Sequence, residues 1–230
     1  MATSGTYAFS MDIDEVIQEA SEMIGGEQTG GNEPKSARRS INLLLNDWQN
    51  RGINLWSVDT TAVTVTTSVT SFNMSSETLD VLEGVIRRTA NGTPSDLTLT
   101  RISMQEYLQL PNKSQTGRPS QFAVRSSNHA GTPTVFLWPI PENSTDEIHF
   151  ERIKYLEDVD KSDTQTPDIS RRFYPALAVG LAYEMGVKRP GVDTERLAML
   201  KTDYEAKLLR AMEEDRERVS MFFRPKLSPI

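Results

Sequence analysis

Residues 37–69 read ARRSINLLLNDWQNRGINLWSVDTTAVTVTTSV, and within this stretch the hydrophobic pattern changes its period. Up to Trp48 the apolar residues recur every three or four positions, which predicts an amphipathic helix. Pro34 suits the first turn of that helix, and Gly52 suits the left-handed position just beyond its end. After Ile53 β-branched residues alternate with small ones, which predicts a strand. The chain therefore passes from helix to sheet near residue 53.

The segments on either side continue both patterns. Upstream, helical periodicity over 12–24 begins with Asp12 and Glu15, which can form a capping pair, and it stops at Gly25-Gly26. Downstream, turn signals separate strand candidates at 81–88, 97–102, 121–125, 134–138 and 147–155, with a short helix at 104–110. Helical periodicity returns at Phe173 and ends before Arg189, and a last helix runs from Asp193 to about Arg218.

Helices at both ends and strands between them predict an α+β fold. We expect a helical bundle of two N-terminal and two C-terminal helices, an inserted antiparallel β-sheet or barrel domain, and an extended C-terminal tail. The predicted boundaries are 1–52 for the N-terminal helices, 53–160 for the β domain, 161–218 for the C-terminal helices and 219–230 for the tail.

Composition excludes several classes of protein. The 230 residues include no cysteine, which rules out disulfides, a cysteine nucleophile and thiolate metal sites. With 25 Lys and Arg against 32 Asp and Glu, the net charge of −7 is unlike that of a protein that grips nucleic acid. No apolar run is long enough for a transmembrane helix, and the first eleven residues lack a secretory signal pattern, so we expect the protein to be cytoplasmic when made.

Motifs for chemistry are missing from the sequence, so we predict no catalytic, cofactor-binding or metal-binding residues and no enzyme activity. The two histidines, His129 and His149, lie in no metal-ligand spacing. The run Asp158, Asp160 and Asp163 begins like a calcium loop but lacks its glycine and its bidentate glutamate. A carboxylate pair assembled only in the folded chain stays open as an alternative, because a glycoside hydrolase needs no local motif.

The sequence gives stronger indications of surfaces that bind other proteins than of catalytic sites. Trp48 and Trp56 flank the corner at Gly52, and we expect Trp48 to belong to the core. The C-terminal tail carries Phe222 and Phe223 outside any periodic element, and aromatic residues are enriched where proteins dock on partners. Three cations, Lys35, Arg38 and Arg39, crowd the first turn of the second helix, against the preference of the helix dipole for negative charge there.

Short motifs along nearly the whole chain resemble the head-to-tail adaptor of tailed bacteriophages, also called tail tubular protein A or head completion protein in short-tailed phages. The helix and corner at 37–56 carry most of the likeness. The other matching pieces, in order, are Ser4-Gly5-Thr6-Tyr7-Ala8-Phe9, Pro111-Asn112-Lys113, Gly117-Arg118-Pro119, Leu137-Trp138-Pro139, Phe173-Tyr174-Pro175-Ala176-Leu177 and the run MEEDRER at 212–218.

The resemblance implies a structural component of the virion at the head–tail junction. It implies a homo-oligomeric ring, a dodecamer, between the portal protein and a tail nozzle or tube protein, with DNA passing through without sequence-specific binding. It also implies that the C-terminal segment orders on the portal, and this role is carried to Met221, Phe222, Phe223, Arg224 and Pro225.

A ring needs two different complementary patches on each subunit. Opposite charge suggests the cations Lys35, Arg38 and Arg39 on one side and Glu213, Glu214 and Asp215 on the other as intersubunit partners. Two alternatives remain: a tail-associated enzyme that cleaves peptidoglycan, and a tail-tube or tail-completion protein.

Overall fold

The computed structural model describes residues 5, 9–26, 33–53, 57–90, 93–126, 132–160 and 165–215. The chain divides into two compact units, one made of 1–55 with 158–230 and the other of 56–157. The portal-docking tail predicted at 219–230, together with Trp56, His129 and Asp163, lies outside the described residues. The helical and β regions predicted from the sequence form an α+β fold with a helical unit and a curled sheet, which confirms the predicted fold class.

Four long helices build the helical unit: α1 (Ile13–Met23), α2 (Glu33–Asn50), α4 (Tyr174–Lys188) and α5 (Thr194–Glu214). The predicted capping box is present at α1, where the Glu15 amide donates to Asp12 and the Asp12 amide donates to Glu15. The chain leaves α2 through Gly52 at φ +78°, a left-handed conformation that glycine adopts without steric cost. These local signals set the helix bounds.

Helix α4 is the centre of this unit and packs against α1, α2 and α5. Its sequence predicts one apolar face, but the structure buries residues all round the helix, because small side chains let its neighbours approach closely. Gly180 shows how close: a Cβ placed there would lie 2.8 Å from the Tyr204 ring of α5. The fully buried indole of Trp48 on α2 packs against Phe173, at the start of α4, so it belongs to the core as expected.

The second unit contains a seven-stranded sheet in the order β1-β9-β3-β4-β6-β7-β2 and a separate pair of short strands, β5 with β8. A short helix, α3 (Met104–Gln109), follows β4. The strands are β1 (Val58–Thr64), β2 (Ser71–Asn73), β3 (Thr78–Ala90), β4 (Thr93–Ile102), β5 (Thr116–Gly117), β6 (Gln121–Arg125), β7 (Thr134–Trp138), β8 (Ile140–Pro141) and β9 (Glu147–Lys154).

Most strand pairs are antiparallel, as the sequence predicts, but β4 pairs with β6 in parallel over three residues. The chain between them runs through α3 and β5, and such a crossover brings β6 back in the direction of β4. The side chains that alternate inward from these strands form the core of the unit, among them Val81, Ile86, Phe122, Leu137, Ile148 and Phe150.

Candidate interaction surfaces

The basic first turns of α2 are only partly open to a partner. Lys35 and Arg39 are exposed, whereas the side chain of Arg38 is 18% exposed. The Arg38 Nη2 lies 3.4 Å from Asp14 Oδ1 on α1, so this cation already has an acidic contact within its own chain. Lys35 and Arg39 are therefore the residues of this group that offer the most surface.

At the acidic end of α5, too, two charged residues are exposed and one is mostly buried. Glu213 and Glu214 are exposed, but the Asp215 side chain is only 6% exposed and lies 3.4 Å from Arg172 Nη1. Arg172 also donates to the backbone carbonyl of Glu214 at 2.6 Å, which satisfies one of the last carbonyls of the helix. Burial raises the pKa of the Asp215 carboxyl, and the positive charge of Arg172 acts against that shift.

The five tail residues predicted to bind the portal, Met221, Phe222, Phe223, Arg224 and Pro225, lie outside the described residues. The described chain ends at Asp215, one residue past α5. The segment that contains the tail residues therefore continues from the acidic end of that helix.

A model of the SU10 adaptor protein family matches residues 11–227, nearly the whole chain. The chain belongs to the SU10 adaptor protein family. This match confirms the resemblance to phage head-to-tail adaptors that the motifs predict, and by family the chain is a phage adaptor and a structural component of the virion. A search of curated protein sequences finds no significant match.

Two charged clusters in the β unit of this adaptor hold strands together. In the first, the nearly buried Arg152 of β9 donates from Nε to Asp59 of β1 at 2.8 Å and from Nη2 to Glu77 at 2.6 Å. Its Nη1 donates to the hydroxyls of Ser75 and Thr78. The hydrogen bond from Arg152 lowers the pKa of the Asp59 carboxyl, so this group stays ionised as a structural anchor.

The second cluster joins β3 to the turn before β9. Arg88 donates to both carboxylate oxygens of Asp146, with the closest contact at 2.8 Å, and to Glu142 at 3.2 Å. The Asp146 side chain is 2% exposed, and its hydrogen bonds from Arg88 lower its pKa. The sequence shows neither cluster, because the partners are 54 to 93 residues apart along the chain.

The charged groups outside these two clusters can be compared with what a metal or acid–base site requires. Within the described residues no group of three or more His, Asp or Glu side chains could hold a metal ion. His149 of β9 lies 3.6 Å from Glu147. The hydrogen bond from Arg87 lowers the pKa of the Asp96 carboxyl, and the charge of His149 contributes a smaller lowering. Asp215, whose pKa is raised, contacts a cation and not a second carboxylate. None of the described helices is long and apolar enough to cross a membrane.

Proposed function

We propose that this adaptor forms a homo-oligomeric ring, a dodecamer, that joins the portal to the tail nozzle or tube and lines the channel through which DNA leaves the head. The family match over residues 11–227 is the observation that carries the proposal. The net charge of −7 supports it, because an acidic wall repels a polyanion and lets DNA pass without binding. The nozzle or tube protein is then the partner of the β unit.

The ring contact proposed here is electrostatic and heterologous, with the basic first turns of α2 facing the acidic end of α5 in the neighbouring subunit. Exposure supports Lys35 and Arg39 opposite Glu213 and Glu214 as its main members. Arg38 and Asp215 belong to the same two patches, and their contacts with Asp14 and Arg172 hold them in place within each subunit. A contact between two different patches closes a ring by rotation.

The tail is proposed to dock on the portal through Met221, Phe222, Phe223, Arg224 and Pro225. Aromatic side chains and arginine supply most of the binding energy at protein interfaces, so a short segment of this composition can anchor a subunit. The two positive charges of the tail, residues 219–230, are Arg224 and Lys226.

Light scattering tests the assembly directly. The mass of the purified chain is measured alone and then with the portal protein of the same phage. We expect a large ring on the portal, and we expect a chain lacking residues 219–230 to fail to join it. A full-length chain that never associates with the portal would reject the adaptor ring, and its ring size without portal would then test a tail-tube role.

Charge reversal tests the subunit contact. We expect Lys35→Glu combined with Arg39→Glu to weaken assembly on the portal, and Glu213→Lys with Glu214→Lys in the same chain to restore it. The matched control reverses two exposed cations near the other end of α5, far from Glu213 and Glu214: Arg196→Glu with Lys201→Glu. Equal assembly of the first variant and the wild type at low and high salt would contradict the pairing, because exposed ion pairs are screened by salt.

A further inference from the structure

The strand β1 ends the seven-stranded sheet with one edge unused. All seven of its residues pair with β9, from Val58 opposite Ile153 to Thr64 opposite Glu147. Among the described residues no strand pairs with its other edge. A strand offers backbone N–H and C=O groups to both sides, so the second edge of β1 is a template for another strand.

Natural sheets protect open edges against pairing with other strands. This sheet protects the open stretch of β4 but not the open edge of β1. On β4, residues 93–99 also lack a neighbour on the β6 side, but Pro94 removes a donor there and Arg118 donates to the carbonyl of Ser95 at 3.3 Å. On β1 the exposed side chains are Thr60, Ala62 and Thr64, which are small and uncharged. The strand contains no proline, lysine or bulge.

A small apolar groove adjoins the open edge. It has a volume of about 60 Å³, close to the share of two water molecules in the liquid. Side chains of β1, of the opposite end strand β2 and of β7 line it together, so both ends of the curled sheet border the same gap. The apolar lining consists of Val63, Val65, Val69, Phe72 and Leu137.

We infer that β1 accepts an extended segment of the tail-side protein as an additional strand, with a small neutral apolar side chain of that segment in the groove. Main-chain hydrogen bonds provide affinity in this mode of binding, and a pocket for an alternate side chain provides specificity. The inference rests on the proposed function for the identity of the partner.

Symmetry argues for a different protein rather than a second copy. If two β1 edges paired with each other, the contact would be twofold and would give a dimer, not a ring. The other open edges among the described residues are short ones, such as the three-residue β2 and the two-residue β5 and β8, or stretches of β3 and β4 that Arg101 and Arg118 cover. None of them matches a free seven-residue strand. An added strand from the nozzle or tube protein leaves the ring contacts free.

The test uses the full chain and the purified nozzle or tube protein of the same phage. Hydrogen exchange is followed by mass spectrometry over residues 58–64, with and without that protein. We expect the β1 amides that face away from β9 to exchange fast in the isolated chain and to slow by about tenfold or more in the complex, as amides do when they enter a strand pairing. Slow exchange of the same amides in the isolated chain, or no added protection in the complex, would overturn the inference.

Two variants give an independent measure. Ala62→Lys places a charge on the open strand, and we expect it to weaken tail-protein binding by about tenfold, equivalent to about 1.4 kcal/mol. Val69→Phe fills the groove, and we expect a similar loss. The control Glu151→Gln changes the charge by the same amount at an exposed position of the interior strand β9, and we expect no effect.

A portal-binding assay distinguishes failure of the inference about β1 from failure of the proposed function. Normal portal assembly with unchanged tail-protein binding in Ala62→Lys and Val69→Phe would overturn the inference and leave the proposed function intact. Failure of the wild type to assemble on the portal would reject the proposed function itself. A twofold dimer of the isolated chain that Ala62→Lys dissociates would assign the edge to a second copy and overturn the choice of partner.

Discussion

Removing one hydroxyl from the centre of the helical unit should have a measurable effect on stability. The Trp48 Nε1 donates a hydrogen bond to the Tyr204 hydroxyl at 2.8 Å, and it joins α2 to α5 across 156 residues of sequence. The indole is fully buried and Tyr204 is 7% exposed. Tyr204→Phe keeps the ring, with its contact to Gly180, and deletes the acceptor of the indole N–H.

The expected loss of stability comes from the Trp48 indole N–H, which stays buried but has lost its acceptor. A buried donor without a partner costs about 1–3 kcal/mol, and the ring that stays in place keeps the cavity term small. We therefore expect Tyr204→Phe to lower the free energy of unfolding by about 1–3 kcal/mol at pH 7. Urea unfolding, followed by tryptophan fluorescence and by circular dichroism, measures this difference.

The same group predicts a dependence on pH. Burial raises the pKa of the Tyr204 phenol above its ordinary value near 10.0, against the opposing effect of the hydrogen bond from Trp48. The unfolded chain then loses the proton before the folded chain does, so the contribution of Tyr204 is complete below pH 10 and declines as the pH rises through the folded-state pKa. We expect the difference between wild type and variant to shrink above pH 10.

Tyr183→Phe is the matched control, because Tyr183 of α4 lines a surface groove of the helical unit together with Tyr204 but is only half-buried. We expect this control to change stability by less than about 0.5 kcal/mol. If Tyr204→Phe also stayed within that range, the hydrogen bond between α2 and α5 would have no net role in stability.

Three further substitutions test the packing and the backbone. Asp146→Ala removes the buried partner of Arg88 and should lower the free energy of unfolding of the β unit by about 2–3 kcal/mol at pH 7. Because the folded-state pKa of Asp146 is lowered, this deficit should shrink as the pH falls below the ordinary aspartate value, and equal deficits at pH 7 and pH 3 would contradict the ion pair. Gly84→Ala places a Cβ 2.8 Å from the Phe150 ring in the sheet and should cost about 1–3 kcal/mol in urea unfolding, so a neutral result would show that the ring moves freely. Gly52→Ala meets no atom within 4 Å, and its cost of about 1–2 kcal/mol should come from the left-handed φ of +78° alone.

Much of the local structure could be predicted from short-range patterns. The capping box at Asp12 and Glu15, the helix end at Gly52 and the bounds of β6 and β7 are as predicted. Each of these features depends on a few neighbouring residues, whose steric and hydrogen-bonding preferences act within one turn or one strand. The family match likewise follows from motifs spread in order along the chain.

The contacts that join distant elements were not predictable in this way. The apolar stripe of α2 predicts that Trp48 is a core residue. The stripe does not predict that the indole donates to Tyr204, because that contact forms only when α2 and α5 pack together. The sequence places Arg38 and Asp215 near helix ends and shows no partner for them within the subunit. In the folded chain Arg38 contacts Asp14, and Asp215 contacts Arg172. The parallel register of β4 with β6 depends on how the crossover between them closes. The pairing of β1 with β9 leaves the other edge of β1 without a neighbour among the described strands.

The order of helices and strands and the absence of thiol chemistry follow from composition and from patterns within about twenty residues. The adaptor family follows from the order of short motifs along nearly the whole chain. Folding decides which charges have partners inside the subunit, and which strand edge has no partner among the described residues. Ion pairs, hydrogen bonds and strand pairings form between groups within a few ångströms in space, and the chain brings such groups together from positions up to 156 residues apart.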